Sequence, residues 1–193
     1  EKFAEQMKYL HESGFSTISL DQLYEAYQGK SMLPEKPIVI TFDDGYLDNY
    51  TAAFPVLKQY NFTAAFFVIT DVVGKGMMSW EQLREMQDYG MTIQPHTVTH
   101  PDLTALTPEQ QRKEMADSKA EVESKLGTQV KFFCYPYGKF NSATLKQLKD
   151  SGYKLGLTIS QGKANPADNL LLLKRLYVNG FHDLQTFKKR LGT

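Results

Sequence analysis

Two short polar motifs in this sequence carry side chains that could perform chemistry. One is the adjacent pair Asp43 and Asp44, followed by Gly45, and the other is the pair His96 and His100, four residues apart. Two imidazoles and one carboxylate form a ligand set for zinc and similar divalent ions, and a set of three leaves a coordination position open, as in catalytic sites. The other carboxylate is then free to act as a base on water at that position. Together the four side chains predict a catalytic divalent-metal centre.

Each motif also has an ordinary structural interpretation. Asp-Asp-Gly is good turn chemistry, and by itself the pair would be interpreted as a turn. Histidines four residues apart can be surface or helix-capping residues. Adjacent carboxylates repel each other, however, and a bound cation removes that penalty, so the two motifs support each other. Because Pro95 and Pro101 flank the histidines, we expect a single helical turn that puts both rings on one face.

A third motif, Tyr135-Pro136-Tyr137-Gly138, is less specific. Proline fixes φ and removes one backbone donor, so the following amide, that of Tyr137, could point at a developing oxyanion. The same residues are typical of a bend after a strand, and for this motif alone the bend is the better interpretation.

All three motifs follow predicted strands. Continuous apolar runs predict strands buried on both faces, and helices that begin at Ser79, Thr107 and Asn141 separate several of them. This alternation predicts an α/β protein made of parallel βαβ units, either a doubly wound sheet or a barrel. In both folds the carboxyl ends of the strands share one rim, where the motifs would meet. The predicted strands are 15–18, 38–42, 64–69, 91–94, 130–134, 154–159 and 172–178, and the main predicted helices are 50–60, 80–89, 107–126, 141–152 and one from 183.

Length and composition indicate one ordinary domain over residues 1–193. Lys plus Arg and Asp plus Glu each number 22, so the formal net charge is zero and nucleic-acid binding is disfavoured. The longest apolar runs fall far short of the ~20 residues that a membrane span needs. The single cysteine, Cys134, excludes an internal disulfide and a Cys-rich zinc framework. The chain begins on a helix-like stretch without an apolar leader, which fits a processed mature chain.

The three motifs, in this order and spacing, resemble those of the polysaccharide deacetylases, the NodB-homology domain of carbohydrate esterase family four. The resemblance rests on Thr41–Gly45, His96–His100 and Tyr135–Gly138 and covers essentially the whole chain. The segments Ser31–Asp48 and Pro95–Leu103 are most similar to the extracellular branch that acts on poly-N-acetylglucosamine and related envelope glycans.

This resemblance implies a distorted (β/α) barrel with about seven parallel strands, similar to a TIM barrel. It implies a hydrolase that removes N-acetyl groups from N-acetylglucosamine units of a bacterial cell-envelope or extracellular polysaccharide. Asp43 would be the general base, while Asp44, His96 and His100 would hold a divalent metal, usually zinc. The backbone amide of Tyr137 would stabilise the oxyanion. The expected partner is therefore an N-acetylated polysaccharide, without nucleic acid and without a transmembrane segment, and the oligomeric state stays open.

Two departures from the family pattern matter. Many members have an arginine two positions before the Pro-Tyr pair, where it orients the base aspartate, and here that position is Cys134. Members also supply a histidine as general acid from a late strand, and residues 176–180 contain none. His182, two residues further on, is the nearest candidate, although in the extracellular branch the acid can come from a strand before the first helix, upstream of Glu1. Thr99 matches the hydroxyl residue that supports the histidine loop.

Three other functions stay open. A non-catalytic glycan-binding module would explain the missing arginine and the missing acid. A deacylase of a small acylated amine would use the same centre on another amide. A non-haem iron oxygenase uses a similar ligand triad, but normally on an antiparallel β scaffold, and this chain alternates helix and strand.

Overall fold

The computed structural model describes residues 1–193, in which short strands and α-helices alternate along most of the chain. The strands are β1 (Ser16–Thr17), β2 (Pro37–Ile38), β3 (Thr41–Phe42), β4 (Ala65–Val68), β5 (Thr92–Pro95), β6 (Phe132–Cys134), β7 (Leu155–Gln161) and β8 (Leu173–Arg175). The helices are α1 (Lys2–Glu12), α2 (Leu20–Tyr27), α3 (Phe54–Gln59), α4 (Trp80–Asp88), α5 (Pro108–Leu126), α6 (Ser142–Asp150) and α7 (Leu184–Leu191). None of these helices combines the length and the apolar character needed to cross a membrane.

Three of the helices begin at the residues that the sequence predicts. The side chains of Ser79, Thr107 and Asn141 each accept a hydrogen bond from the backbone N–H three residues later, at the starts of α4, α5 and α6. In all three cases the side chain of that later residue bonds back to the N-cap backbone, so two otherwise unpaired donors are satisfied. The helix predicted over 50–60 instead opens with a π-helical segment, Asn49–Ala53, and continues as α3.

Every pairing between strands is parallel, which confirms the α/β class. The strands form one sheet of β1 and β2, one of β3, β4 and β5 in that order, and one of β6, β7 and β8 in that order. Strands β2 and β3 coincide with the predicted strand 38–42, except that β2 begins one residue earlier, at Pro37. The Ala65 N–H donates to the carbonyl of Ile40, between β2 and β3, at 2.9 Å. This bond carries the pairing with β4 across the gap, so β2 and β3 act as one interrupted strand.

The strands do not close into a barrel. Between β5 and β6 the side chain of Gln94 replaces a backbone ladder, because its Oε1 accepts from the N–H groups of Lys131 at 3.0 Å and Phe132 at 2.8 Å. A side chain inserted in this way separates the two three-stranded sheets while keeping their buried donors satisfied. No pairing joins β8 to β1. The predicted parallel α/β arrangement is therefore confirmed, whereas no closed barrel is observed.

Two clusters of buried side chains cover the two faces of the strands. In β4, Phe66 and Val68 belong to a cluster of 24 residues, while Ala65 and Phe67 belong to a second cluster of 10. This division follows the alternation of side chains along a strand. The second cluster also contains residues of β6, β7 and β8, among them Cys134. These strands therefore share one interior, and their carboxyl ends lie around its rim.

Candidate metal centre

The structure brings all three predicted metal ligands together at the carboxyl ends of β3 and β5. Asp44 Oδ1 lies 3.6 Å from His96 Nε2 and 3.4 Å from His100 Nε2, and the two Nε2 atoms are 3.1 Å apart. Zinc holds such ligands at about 2.0–2.1 Å, so two ligand atoms of one tetrahedron are about 3.3–3.4 Å apart. The three observed separations span this value. The residues present therefore fit a four-coordinate divalent ion with one position open.

The proton positions at His96 favour metal binding over a simple hydrogen bond. His96 Nδ1 lies 2.7 Å from the carbonyl oxygen of Cys134, which can only accept, so Nδ1 carries the proton and Nε2 keeps its lone pair. Only 3% of the His96 side chain is exposed, and burial lowers the pKa of this imidazole. A neutral imidazole therefore faces Asp44 and His100 with an acceptor atom. With the Nε2 of His100 within 3.1–3.4 Å of His96 Nε2 and Asp44 Oδ1, the three side chains form an arrangement that a cation stabilises.

The histidines do not lie on a helical turn, which corrects the sequence-based expectation. Thr97 has φ 67° and His100 has φ 58°, both in the left-handed region that side-chain-bearing residues rarely adopt. Asp44 (φ 74°) and Tyr137 (φ 56°) share this conformation, so four of the five non-glycine residues with positive φ belong to the predicted site. Such conformations cost about 1–3 kcal/mol each and concentrate where function requires a particular side-chain direction. The ligands thus converge through an irregular loop.

Arg175 holds the predicted base, and sequence reasoning missed this residue. Its Nη1 and Nη2 donate to the two carboxylate oxygens of Asp43 at 2.8 and 2.7 Å, and its Nη1 also donates to the Thr41 hydroxyl at 3.2 Å. Burial acts to raise the pKa of Asp43, but the hydrogen bonds and charge of Arg175 outweigh it, and the pKa is lowered. Asp43 is therefore kept ionised. Arg175 lies in the middle of the predicted strand 172–178 and at the end of the observed β8, so the only available signal was a basic residue within a predicted strand.

Cys134 lies between the base and the arginine. Its Sγ is 3.5 Å from Asp43 Oδ2 and 3.1 Å from Arg175 Nη2, and burial raises the pKa of the thiol, which stays neutral. Asp43, His96 and Cys134 form a second group with close ligand atoms. The guanidinium of Arg175 already contacts two members of that group, so its charge opposes a metal ion there. The cation site is therefore the one formed by Asp44 and the two histidines.

The third motif, Tyr135–Gly138, follows β6 and lies beside the three predicted metal ligands. Residues Pro136–Gly138 form a short 3-10 helix in which Tyr137 has left-handed backbone angles, φ 56° and ψ 11°. The Tyr137 ring is 55% exposed and packs edge-on against the His100 ring, with their centroids 4.7 Å apart. The predicted oxyanion residue thus adjoins a predicted metal ligand, and the role of its amide stays a prediction.

His182 contacts a different part of the chain. Its backbone carbonyl accepts from the Gln6 side chain at 3.2 Å, its Nδ1 lies 3.4 Å from the Asn179 N–H, and its ring is 6.5 Å from that of Tyr177. These contacts connect His182 to α1 and to the loop before α7. None of them is with Asp43, Asp44 or the two ligand histidines. The general-acid role of His182 stays a prediction without a supporting contact.

A parallel α/β scaffold with an Asp-His-His set and an arginine-held aspartate fits the class of metal-dependent hydrolases. Comparison with known proteins narrows this class, because the model of the family described as "Polysaccharide deacetylase" matches residues 30–156. The chain belongs to the polysaccharide deacetylase family. The expectation that was drawn from the three motifs is thereby confirmed at the level of the family.

Individual relatives agree with this assignment. The chain is 38% identical to YxkH of Bacillus subtilis, named as a candidate polysaccharide deacetylase, over 93% of this chain and 64% of that protein. It is 30% identical to the poly-beta-1,6-N-acetyl-D-glucosamine N-deacetylase of Staphylococcus aureus, over 92% of this chain and 66% of that enzyme. The Streptococcus pyogenes deacetylase PplD, solved with acetate, superposes with a TM-score of 0.93 and 32% identity over 98% of this chain and 85% of that one. The chain thus spans just under two thirds of the length of the first two relatives.

Proposed function

We propose that this protein removes N-acetyl groups from N-acetylglucosamine units of a cell-envelope or extracellular polysaccharide, with a divalent metal ion, zinc, as cofactor. Deacetylation belongs to the family at the level of reaction type. The polymer is proposed from the Staphylococcus aureus relative, which is named as a deacetylase of poly-beta-1,6-N-acetyl-D-glucosamine. The complex of PplD with acetate supports the reaction type, because acetate is the acid that deacetylation releases.

One observation carries the proposal. The three close potential ligand atoms of Asp44, His96 and His100 lie beside a second carboxylate, Asp43, which a guanidinium keeps ionised. Two adjacent aspartates thus have different surroundings and can have different functions. Asp44 faces the histidines as a ligand, and Asp43 faces Arg175 as a base. This division is what hydrolysis of an unactivated amide needs, since water must lose a proton as it attacks.

When bound, a divalent ion supplies Lewis-acid polarisation of the acetamide carbonyl and lowers the pKa of water toward ~7. Asp43 accepts the proton of the attacking water. An ionised carboxylate has about four acceptor positions, and Arg175 takes one on each oxygen, so both oxygens of Asp43 retain capacity. Arg175 also fixes the plane of the carboxylate, because two parallel hydrogen bonds leave it little rotation. The base is therefore oriented before the substrate arrives.

Two further steps need groups near the acetyl carbon and the leaving amine. As the carbonyl carbon becomes tetrahedral, charge develops on its oxygen, and we propose that the backbone N–H of Tyr137 donates to it. Collapse expels an amine, which needs a proton, and His182 is the proposed donor within this chain. General acid help typically contributes 10²–10⁴-fold, so a chain without an effective acid would bind metal and turn over slowly.

The structure bears on two of the alternatives. A non-catalytic glycan-binding module was attractive because position 134 lacks the family's arginine, and Arg175 now occupies that place against Asp43. The missing acid remains the one observation that favours this alternative. An iron oxygenase would normally have an antiparallel scaffold, and all strand pairings here are parallel.

The proposal is tested by mass spectrometry of acetylated oligosaccharides after incubation with the protein. The panel contains β-1,4- and β-1,6-linked N-acetylglucosamine oligomers and a small N-acetylated amine, each with chelator-treated protein and with added Zn²⁺. We expect loss of acetyl groups from an oligosaccharide only when Zn²⁺ is present. Zinc binding without acetyl loss from any compound would refute the proposal in favour of a binding module, and loss from the small amine alone would favour the small-molecule deacylase.

Two aspartate variants assign the base. Asp43→Asn should bind Zn²⁺ as the parent protein does and lose activity by about 10²–10⁴-fold, because the amide cannot accept the proton. Asp48→Asn makes the same change at an exposed position in the following segment, outside the ligand set, and should stay within about twofold of the parent. Retained activity in Asp43→Asn would overturn the assignment.

A further inference from the structure

The loop that carries both histidines is held from the side of α5 by a single carboxylate. Glu114 Oε2 accepts from the backbone N–H groups of Val98 at 2.8 Å and Thr99 at 3.0 Å. Glu114 Oε1 accepts from the Thr99 hydroxyl at 2.8 Å. All three bonds involve Val98 and Thr99, two of the three residues between His96 and His100. The carboxylate therefore holds the part of the loop that sets the distance between the two ligands.

The loop needs such a support because its backbone is unfavourable. Thr97 and His100 both have positive φ, and local preferences would return each of them to an ordinary conformation. From the opposite side, the N–H groups of Thr70 and Asp71 donate to the carbonyls of Thr97 at 3.2 Å and Val98 at 3.0 Å. Hydrogen bonds therefore hold the loop from two sides, from the end of β4 and from α5. On the α5 side, Glu114 makes these hydrogen bonds.

Glu114 is itself fixed by its surroundings in α5. The next residue, Met115, is fully buried, and its carbonyl accepts from the Tyr153 hydroxyl at 3.0 Å. The carbonyl of Glu114 accepts from the hydroxyl of Ser118, also fully buried, at 2.7 Å. This turn of the helix thus cannot shift without disturbing the core. The carboxylate is held at a fixed place before the loop folds onto it.

We propose that Glu114 is a positioning residue for the metal centre, which holds His96 and His100 at the separation that a divalent ion requires. The inference rests on the proposed function only in taking Asp44 and the two histidines as metal ligands. A neutral glutamine supports the loop more weakly: its single carbonyl oxygen can accept from both N–H groups, but the charge that strengthens those bonds is lost, and its NH₂ group must reverse the bond to the Thr99 hydroxyl. Supports behind the ligands of metal sites typically change metal affinity by 10–100-fold when they are removed.

The test is the affinity of the chelator-treated protein for Zn²⁺ alone, measured by competition with a chromophoric chelator. Glu114→Gln is expected to weaken Zn²⁺ binding about 10–100-fold. Glu121→Gln is the matched control, since it removes the same charge from the same helix at a residue outside the loop contacts, and it should stay within about twofold. Co²⁺ serves as a spectroscopic probe, and its visible absorption should lose intensity in Glu114→Gln as the four-coordinate geometry is distorted.

Thermal unfolding of the metal-free variants separates positioning from general stability. A purely structural Glu114 would lower the melting temperature of the metal-free protein and leave the Zn²⁺ affinity of the folded fraction unchanged, and that result overturns the inference. If Glu114→Gln does not fold, Thr99→Val removes one of the three bonds and should weaken Zn²⁺ binding to a smaller extent, while Thr99→Ser should restore it. Failure of the parent protein to bind Zn²⁺ would instead refute the ligand assignment itself.

Discussion

Replacing Arg175 by methionine should disable the base without weakening the metal site. The guanidinium makes two hydrogen bonds of 2.7 and 2.8 Å to Asp43, and the side chains of Arg175 and Asp43 are 16% and 30% exposed. Removing one partner of a fully buried ion pair costs about 3–5 kcal/mol. Water reaches Asp43 in part and can replace some of the lost bonds, so we expect a loss of about 2–3 kcal/mol in the free energy of unfolding.

The catalytic effect should exceed the effect on stability. Methionine keeps much of the aliphatic volume of arginine, but it leaves the carboxylate of Asp43 free to rotate. Misplacement of a reacting group by about 1 Å costs about 10²-fold, and we expect this loss in kcat/KM for Arg175→Met. Zn²⁺ binding should not weaken, because the substitution removes a positive charge from beside the metal site. Arg175→Lys restores the charge without the two-pronged geometry and should recover only part of the activity.

Urea unfolding of the metal-free protein and deacetylation kinetics check these numbers. Lys174→Met is the matched control, because Lys174 precedes Arg175 in β8, points to the opposite face, and forms a partly exposed ion pair of 3.9 Å with Asp168. Such a pair is worth about 0–1 kcal/mol, and the control should keep its activity. Activity in Arg175→Met within fivefold of Lys174→Met, or a parallel loss of activity and Zn²⁺ binding, would refute the reasoning.

Three other predictions follow from the site. Gly138→Ala should lower the free energy of unfolding in urea by about 2–4 kcal/mol, because φ is 64° and a Cβ would meet the backbone nitrogen of Ile159 at 2.9 Å. The same clash would disturb the loop of Tyr137 and should reduce kcat. His182→Ala should lower kcat by about 10²–10⁴-fold with unchanged Zn²⁺ binding, and a change below twofold would remove His182 as the acid. Zn²⁺ at about 100 times its dissociation constant should add about 2.7 kcal/mol of stability, and calorimetry should show a melting temperature about 5–10 °C higher, which Asp44→Ala should abolish.

Regular elements were predictable from the sequence because their causes are local. Ser79 and Thr107 are followed three residues later by glutamines, and this pattern encodes a capping box wherever the helix packs. The apolar run around β4 is buried on both faces, as its composition indicates. The order of strand and helix then puts the motifs at one rim. Parallel topology and the meeting of Asp44 with the histidines follow from these local signals.

The histidine loop shows where such reasoning stops. Spacing of four residues indicated a helical turn, yet Thr97 and His100 bring the rings together through positive φ. One local bond supports that conformation, from the His100 N–H to the Thr97 hydroxyl at 3.0 Å, but the conformation also depends on distant bonds from Glu114 and from the end of β4. The failure of the strands to close into a barrel likewise depends on a contact between residues far apart in the sequence. The inserted side chain of Gln94 interrupts the pairing between β5 and β6, and the hydrophobic periodicity of the sequence does not indicate such an insertion.

Cys134 and Arg175 are best understood as one unit. A departure at position 134 looked like a loss, because a thiol cannot orient a carboxylate as an arginine does. In the structure the small, fully buried thiol leaves room for Arg175 Nη2, which lies 3.1 Å from Cys134 Sγ and 2.7 Å from Asp43. Arginines at both positions would place two cations side by side in a buried space. The two positions are 41 residues apart, so only the fold couples them.

This coupling can be measured by a double-mutant cycle. Cys134→Arg alone should lower activity and stability, because a second guanidinium has neither space nor a free partner. In an Arg175→Ala background, the new arginine at position 134 has both the space and a free partner, Asp43. The substitution should therefore restore part of the activity that Arg175→Ala loses. The interaction between two residues in contact is typically about 0.5–3 kcal/mol, so recovery of about 2–100-fold is expected. Simple addition of the two losses would mean that Arg175 does not stand in for an arginine at position 134.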